Sequence, residues 1–365
     1  MKKITVLVDL YYLKAAVAGI GSYIREFEAS CNDHGSNDFK YVFTHDINKL
    51  VGNSIFLNSN SRIIRWIFQL RYLIYKQIQL PLKILFSNAD YVICPDYIAP
   101  YFTFKAKRIT VLHDSLFWDQ KNNYSVLWRK YFITLINLGM NSSTQIVTTS
   151  NYSKNNLIKI FRNNRNINFV YQSFNFHKTT SSNYKTPENY LLHIGSFEKR
   201  KDLITLVKAF KLVKDDSLKL VLAGAQIING SSEVLDEIKI FIFQNKLENK
   251  VILAGYVSKA EASLLYKNAR IYVFPSLDEG FGIPILEALS FSLPVICSDI
   301  DIFKEVGGGC VEYFKVGDSI SLSKKIISVL DSDELRQNEY TKHINKFSRK
   351  NFIKGFERII LDSND

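Results

Sequence analysis

The 365-residue sequence has only four cysteines, seven prolines and two methionines. Cys31, Cys94, Cys297 and Cys310 are scattered, with no C-x-x-C pair and no metal-ligand spacing. That excludes a disulfide framework and a cysteine zinc site, and it fits reduced thiols in a cytosol. Nor is there an apolar run long enough to cross a bilayer. The start Met1-Lys2-Lys3 imitates a signal peptide, but Asp9 interrupts the apolar run that follows, and Lys3–Leu10 reads as a first β-strand. The stretch Arg62–Phe86 is rich in Ile, Leu, Phe and Tyr around Trp66, yet it contains Arg62, Arg65, Arg71, Lys76, Lys83 and Pro81. Five cations and a proline do not suit a lipid-spanning helix, although such a stretch can lie on a membrane. Acidic residues are scarce in one half only. Residues 1–182 carry 22 basic and 10 acidic side chains and residues 183–365 carry 25 of each, so the net +12 arises entirely in the first half. No clustered basic arm or reader motif accompanies it, which argues against nucleic acid. An anionic membrane surface or a phosphate-bearing acceptor remains.

At 47% hydrophobic and 22% charged the composition is globular, and the length suggests about two domains. Short β-branched segments alternate with helical patterns along the chain. In the second half the strands are Tyr190–Ile194, Lys219–Ala223, Val251–Ala254, Ile271–Phe274 and Pro294–Cys297. The helices between them are Leu203–Val213, Glu233–Gln244, Lys259–Asn268 and Pro284–Ser290. The first half repeats this with strands Ile4–Val8, Tyr41–Thr44, Tyr91–Cys94, Ile109–Leu112 and Gln145–Thr149. Strand–helix alternation with near-continuous apolar strands predicts an α/β chain of two doubly wound parallel-sheet domains facing across a cleft. The expected division is 1–175, a Ser/Thr/Asn-rich linker at 176–188, a second domain at 189–345, and a C-terminal helix at 346–365 crossing back to the first. Ligands of such sheets sit beyond the carboxyl ends of the strands.

After Ile271–Phe274 comes Pro275-Ser276-Leu277-Asp278-Glu279-Gly280-Phe281-Gly282-Ile283-Pro284, leading to Glu287. Gly280 and Gly282 permit a tight turn, and Pro284 suits the start of a helix. A glycine turn entering a helix N-terminus favours an anion. Glu279 in the loop and Glu287 in the first helical turn would then reach the two ends of one ligand with phosphates between its sugars. After Tyr190–Ile194 comes Gly195-Ser196-Phe197-Glu198-Lys199-Arg200-Lys201-Asp202. Its three consecutive cations can neutralise a diphosphate, with Asp202 as N-cap of the next helix. In the first half, Gly19-Ile20-Gly21-Ser22 precedes a helix predicted at Tyr23–Ala29, and His113-Asp114 follows a strand. The other histidines have no evident partners.

These motifs resemble the family-4 retaining glycosyltransferases of the GT-B fold, of the bacterial surface-polysaccharide type. The signature of two glutamates with seven residues between them stands here as Glu279 to Glu287. The likeness runs from Tyr190 through Glu305, including Gly255-Tyr256-Val257 and Tyr266-Lys-Asn-Ala269. A looser likeness covers the first half at Gly19-Ile20-Gly21, Gln79-Leu-Pro81, His113-Asp114 and Ser150-Asn-Tyr-Ser153. Departures at Ser292 and Lys304 leave every candidate site group in place. The resemblance implies a hexose transferred, with retention, from a nucleoside diphosphate sugar (GDP-mannose-like or a UDP-sugar) to a lipid-linked or oligosaccharide acceptor. It implies that Arg200 and Lys201 hold the diphosphate, Glu287 the ribose, and Glu279 the transferred sugar. Backbone amides at Gly280, Phe281, Gly282, Ile283 and Gly21 would face phosphate and sugar, with Val257 near the base and His113 beside the reacting sugar. No metal or other cofactor is expected, and the location expected is cytoplasmic, peripheral on the inner face of the plasma membrane. Rival readings are a metal-dependent enzyme using Asp299-Ile-Asp301, a non-catalytic membrane-docking or scaffold subunit, and a GT-B epimerase.

Overall fold

A computed structural model describes residues 3–363 apart from 16–18, 51–61, 120–124, 141–143, 163–164, 177, 179–183, 225–231 and 333–336. The chain divides into two compact units, one of Met1–Asn175 with Phe347–Asp365, the other of Phe176–Lys346. The Ser/Thr/Asn-rich stretch expected as a linker therefore falls within the second unit. Phe176 anchors it edge-on to Tyr266 and Phe291, with ring centroids 6.0 and 5.5 Å apart.

In the first unit the order is β1 (Ile4–Val8), α1 (Ile20–His34), β2 (Phe39–Phe43), α2 (Arg62–Ile74), a π-helical turn (Tyr75–Gln79), α3 (Leu80–Ser87), β3 (Tyr91–Cys94), β4 (Lys107–Val111), α4 (Val126–Leu138), β5 (Gln145–Thr148), α5 (Asn151–Phe161) and β6 (Ile167–Phe169). The strands form one sheet in the order β2-β1-β3-β4-β5-β6, and every pair is parallel. The second unit runs β7 (Tyr190–Ile194), α6 (Leu203–Leu212), β8 (Lys219–Ala223), α7 (Ser232–Gln244), β9 (Val251–Gly255), α8 (Lys259–Asn268), β10 (Ile271–Phe274), α9 (Ile283–Ser290), β11 (Val295–Ser298), α10 (Asp301–Gly307), β12 (Glu312–Phe314), α11 (Ser319–Leu330) and α12 (Gln337–Ile344). Its sheet is also wholly parallel, ordered β9-β8-β7-β10-β11-β12. The edge strands β6 and β12 have three residues each, too short to stand out as apolar runs, and the sequence reading missed both.

Burial explains the strand pattern. All four residues of β3 and of β10 are buried, as a parallel strand covered on both faces requires. The last helix, α13 (Arg349–Asp362), closes one face of the first sheet. Its Phe352 and Phe356 meet Phe27 of α1 at 5.1 and 4.8 Å. Arg349 clamps α1 with bonds of 2.8 Å to Glu26 and 2.7 Å to Asp33. Truncating Phe27 to Ala at this seam would cost about 3–5 kcal/mol.

Candidate functional site

Each sheet reverses its strand order once, between β1 and β3 in the first unit and between β7 and β10 in the second. The crevice beyond the carboxyl ends at such a reversal is where a doubly wound sheet holds its ligand. In the second unit, the cationic loop leaves β7 and the glycine-bearing loop leaves β10.

Backbone geometry brings these loops together. The Gly195 amide bonds to Ala223 O at 2.9 Å. Beside it, a Cβ on Gly224 would lie 1.7 Å from Gly195 O, so only glycine fits there. Lys199–Lys201 then form one 3-10 turn, and Leu277 N bonds to Arg200 O at 2.7 Å, tying one loop to the other. Asp202 takes the N-cap position of α6 with φ +46°, but its side chain makes no capping bond. This left-handed backbone, unusual without glycine, closes the cationic turn.

The side chains converge on Glu279, which is buried. Arg200 Nη1 donates to its Oε2 at 2.7 Å, and Lys201 Nζ and Ser276 Oγ (2.9 Å) both donate to its Oε1. Arg200 Nε also binds Glu198 at 2.7 Å, while Lys201 Nζ lies 4.9 Å from the centre of the Phe274 ring. Burial alone would raise the Glu279 pKa, but Lys201 and Arg200 outweigh it and hold the carboxyl below its ordinary value. The glutamate is therefore an anion at neutral pH, between two cations.

Glu287 has the opposite environment. It is the fifth residue of α9, so it opens the second helical turn rather than lying in the first. Its Oε2 accepts from Tyr266 OH at 2.8 Å, and Tyr266 stacks on Phe291 at 5.8 Å. Burial raises its pKa, and the tyrosine hydroxyl offsets this only in part. Gly282 carries the turn between the glutamates, with φ +111° and Phe303 3.2 Å from where a Cβ would stand. Pro284 falls in the first turn of α9, where its missing N–H costs nothing, and the helix starts directly after the glycine turn that follows Glu279. Phe281 is buried, Gly280 and Ile283 partly so. Val257 follows β9 just past Gly255, whose φ is +67°.

Two candidates lie in the first unit. Gly21 is inside α1, which begins at Ile20, earlier than the helix predicted, because Gly19 with φ +57° already caps it. Two residues on, the Tyr23 ring meets the edge of His113 at 4.6 Å. His113 Nε2 lies 2.8 Å from Pro95 O, and burial pushes its pKa down to about 4, so it is neutral at pH 7 with Nε2–H donating to that carbonyl. His193 and His343, for which the sequence suggested no partner, likewise meet the carbonyls of Val273 at 3.0 Å and Val306 at 2.6 Å. His177 lies outside the described residues. Asp299, of the alternative D-x-D reading, is paired with Lys304 at 2.5 Å.

Ser276, Tyr266, Glu198 and Gly224 were not singled out as site residues. Ser276 and Tyr266 stand in segments that carried the resemblance, and a signal for Glu198 lies in its place within the cationic loop. Gly224 had none, because its neighbour Gly195 is 29 positions away.

Residues 177–346, nearly all of the second unit, match the family described as glycosyl transferases group 1. The second unit is thus similar to group 1 glycosyltransferase domains. The chain is 32% identical over 183 residues to the O-antigen chain mannosyltransferase RfbU of Salmonella typhimurium, covering 50% of each. It is 26% identical over 263 residues to the O-antigen chain mannosyltransferase B of Escherichia coli, covering 67% of this chain and 66% of that protein. The matches thus span about half to two thirds of those relatives. Among solved structures, sucrose-phosphate synthase from Thermosynechococcus elongatus aligns with a TM-score of 0.70 at 13% identity, covering 99% of both chains. Anabaena HepE, in complex with UDP and glucose, aligns at 0.69 and 15% identity, covering 98% of this chain and 100% of that one. The fold is therefore GT-B. No helix among the described residues is long and apolar enough to cross a membrane.

Proposed function

We propose that this protein is a retaining glycosyltransferase of polysaccharide assembly. It moves a hexose, mannose in our reading, from a nucleoside diphosphate sugar to a hydroxyl of a growing lipid-linked glycan. The observation that carries the proposal is the buried Glu279 carboxylate held by both Arg200 and Lys201 at the reversal point of the second sheet. The names of the relatives, O-antigen chain mannosyltransferases, support the sugar and the setting.

The leaving group is a nucleoside diphosphate, so charge accumulates on phosphate oxygens as the sugar departs. Arg200 and Lys201 supply two cations there, and the start of α9 adds a partial positive charge without any metal. Before the donor binds, Glu279 satisfies both cations. Arriving phosphate oxygens take over part of their hydrogen bonding and leave the Glu279 carboxylate to contact the transferred sugar, whose anomeric carbon becomes cationic as the bond breaks. Glu287, steadied by Tyr266, takes the ribose hydroxyls at the other end, near Val257 and the base. Amides at Gly280–Ile283 face the phosphates in this reading. His113 of the first unit is neutral with its Nε2–H committed to Pro95 O, so it brings no charge and can only accept a hydrogen bond, at Nδ1. Retention follows if the acceptor hydroxyl attacks from the face that the diphosphate leaves. The excess of positive charge in residues 1–182 draws that half toward an anionic membrane surface, where a lipid-linked acceptor resides.

Incubation of the purified protein with GDP-, UDP- and dTDP-sugars, reading diphosphate release, tests the reaction. The expected outcome is release from one class of donor, with loss of roughly 1,000-fold or more in Glu279→Ala. An unaffected Glu279→Ala, or no release from any donor, would overturn it. The anomeric configuration of the product, read by NMR, tests retention.

A further inference from the structure

The segment read from sequence as a basic, aromatic surface stretch has two faces of unlike character. Along α2, the π-turn and α3, Trp66, Leu70, Ile74, Ile78, Leu82 and Phe86 recur at every fourth residue, and all are exposed, Trp66 by 72% and Phe86 by 80%. Two positions further on, Phe68, Tyr72, Lys76, Leu80 and Ile84 also recur at every fourth residue, and all are buried. On an ideal helix, four residues overshoot a turn of 3.6 by about 40°, so six such positions would wind about 200° around the axis. The π-turn at Tyr75–Gln79, a wider turn, takes back part of that drift and keeps the outer row on one side. Its inner side is pinned by Lys76, bonded to Asp9 at 2.7 Å and Asp96 at 2.6 Å.

Neighbouring segments extend this face. Tyr101 N bonds to Gln77 Oε1 at 2.9 Å, bringing up the exposed Tyr101 and Phe102. Between the π-turn and α4 lies an open groove of about 610 Å³, lined by Leu73, Ile78, Tyr101, Leu135 and Leu138. A row of large apolar groups this long is far beyond the scattered exposed leucines of an ordinary soluble surface.

Charge selects the occupant. The sequence has no Asp or Glu between Asp46 and Asp90, and none between Asp119 and Glu188. The exposed Arg71, Lys105 and Lys130 lie in or beside these elements. A second copy would set the same cations against themselves, whereas an anionic bilayer complements them and takes up the apolar row.

We propose that the outer row of α2, the π-turn and α3, with the groove beside it, is a membrane-docking surface that lies in the plane of an anionic bilayer. This deepens the reading of a basic first half drawn to an anionic surface. It names the element and adds an apolar contact that salt does not screen.

The test is co-sedimentation of the full chain with vesicles of phosphatidylcholine and phosphatidylglycerol, at low salt and at about 0.5 M NaCl. The wild type should bind in both and blue-shift its Trp66 emission, a shift absent from Trp66→Phe. Leu70→Gln/Ile78→Gln/Phe86→Gln changes only exposed positions and should lower binding by at least about tenfold while leaving diphosphate release from the donor unchanged. Binding abolished by salt in the wild type would leave electrostatic attraction and overturn the docking row. So would equal binding by the triple variant, or a change in its oligomeric state by light scattering, which would assign the row to a second copy. Absent diphosphate release with intact vesicle binding would instead sink the transfer reading alone.

Discussion

The two sheets reverse at equivalent points and place opposite charge arithmetic there. At the second reversal, two cations, Arg200 and Lys201, hold one carboxylate, Glu279. At the first, one cation, Lys76, lies between two carboxylates, Asp9 and Asp96. Exposure separates them further. The Arg200 side chain remains 30% accessible, whereas those of Lys76, Asp9 and Asp96 are 0, 0 and 1% accessible. Tyr75 adds a 2.7 Å bond to Asp9 and Tyr72 one of 2.8 Å to Asp96, which seals the first cluster. Burial opposes the charge on Lys76, but the two carboxylates outweigh it and keep the ammonium protonated. The same topology thus leaves a partly open, cation-rich cluster in one sheet and a closed ionic peg in the other. The comparison teaches that the reversal point fixes where charge gathers, and access decides whether a ligand can use it.

The largest effect that would break this contrast is on stability. Lys76→Ala leaves two buried carboxylates without a counter-ion and should cost about 3–5 kcal/mol, measured by urea unfolding. Lys201→Ala leaves Glu279 its arginine and should cost no more than about 1–3 kcal/mol. Equal losses would mean that the second cluster is as structural as the first.

Next in size is a change in donor binding. Arg200→Ala should weaken nucleoside diphosphate binding by about 10- to 100-fold in calorimetry, the worth of a charge-assisted bond. Its melting temperature should stay close to wild type, because the arginine is partly solvated. A large fall in melting temperature with unchanged nucleotide affinity would reverse the roles given to the two reversal points.

Much of this contrast could be read from the residues, and the unread part has a common cause. The strands β7 and β10 stood out because apolar runs end abruptly at Gly195 and Pro275. The Glu279–Glu287 loop was legible for the same reason, its glycines and proline marking the turn. The direct pairing of Arg200 with Glu279 was not, since the two lie 79 positions apart and no local pattern encodes a contact between loops. Lys76 misled most. A lysine among exposed Trp66, Leu70 and Phe86 reads as one more surface cation, and its partner Asp96 is 20 positions away, with Asp9 further still. The π-turn that points Lys76 inward has no side-chain signature in Tyr75–Gln79. Periodicity gave the helix and not its widened turn, and so missed which face the lysine takes.

The smallest effect concerns the two glutamates of the second reversal, and its sign follows from their surroundings. Two cations hold Glu279 below its ordinary pKa of 4.5, so its pairing stabilises the fold above pH 4.5 and is lost as pH falls through the depressed value. Glu287 is raised above 4.5 by burial, so the folded state favours its protonated form. Its stabilising contribution is present below pH 4.5 and lost as pH rises through the raised value. Carbon-13 NMR of the side-chain carboxyls should therefore show the midpoints of Glu279 and Glu287 on opposite sides of 4.5. Tyr266→Phe removes the hydroxyl that steadies the ionised form and should move the Glu287 midpoint further up, without moving that of Glu279. Glu287→Gln should abolish the loss of stability on the rising-pH side, and Glu279→Gln the loss on the acid side. Coincident midpoints near 4.5 would mean that neither carboxyl is held as described, and the separate roles proposed for the two glutamates would lose their electrostatic basis.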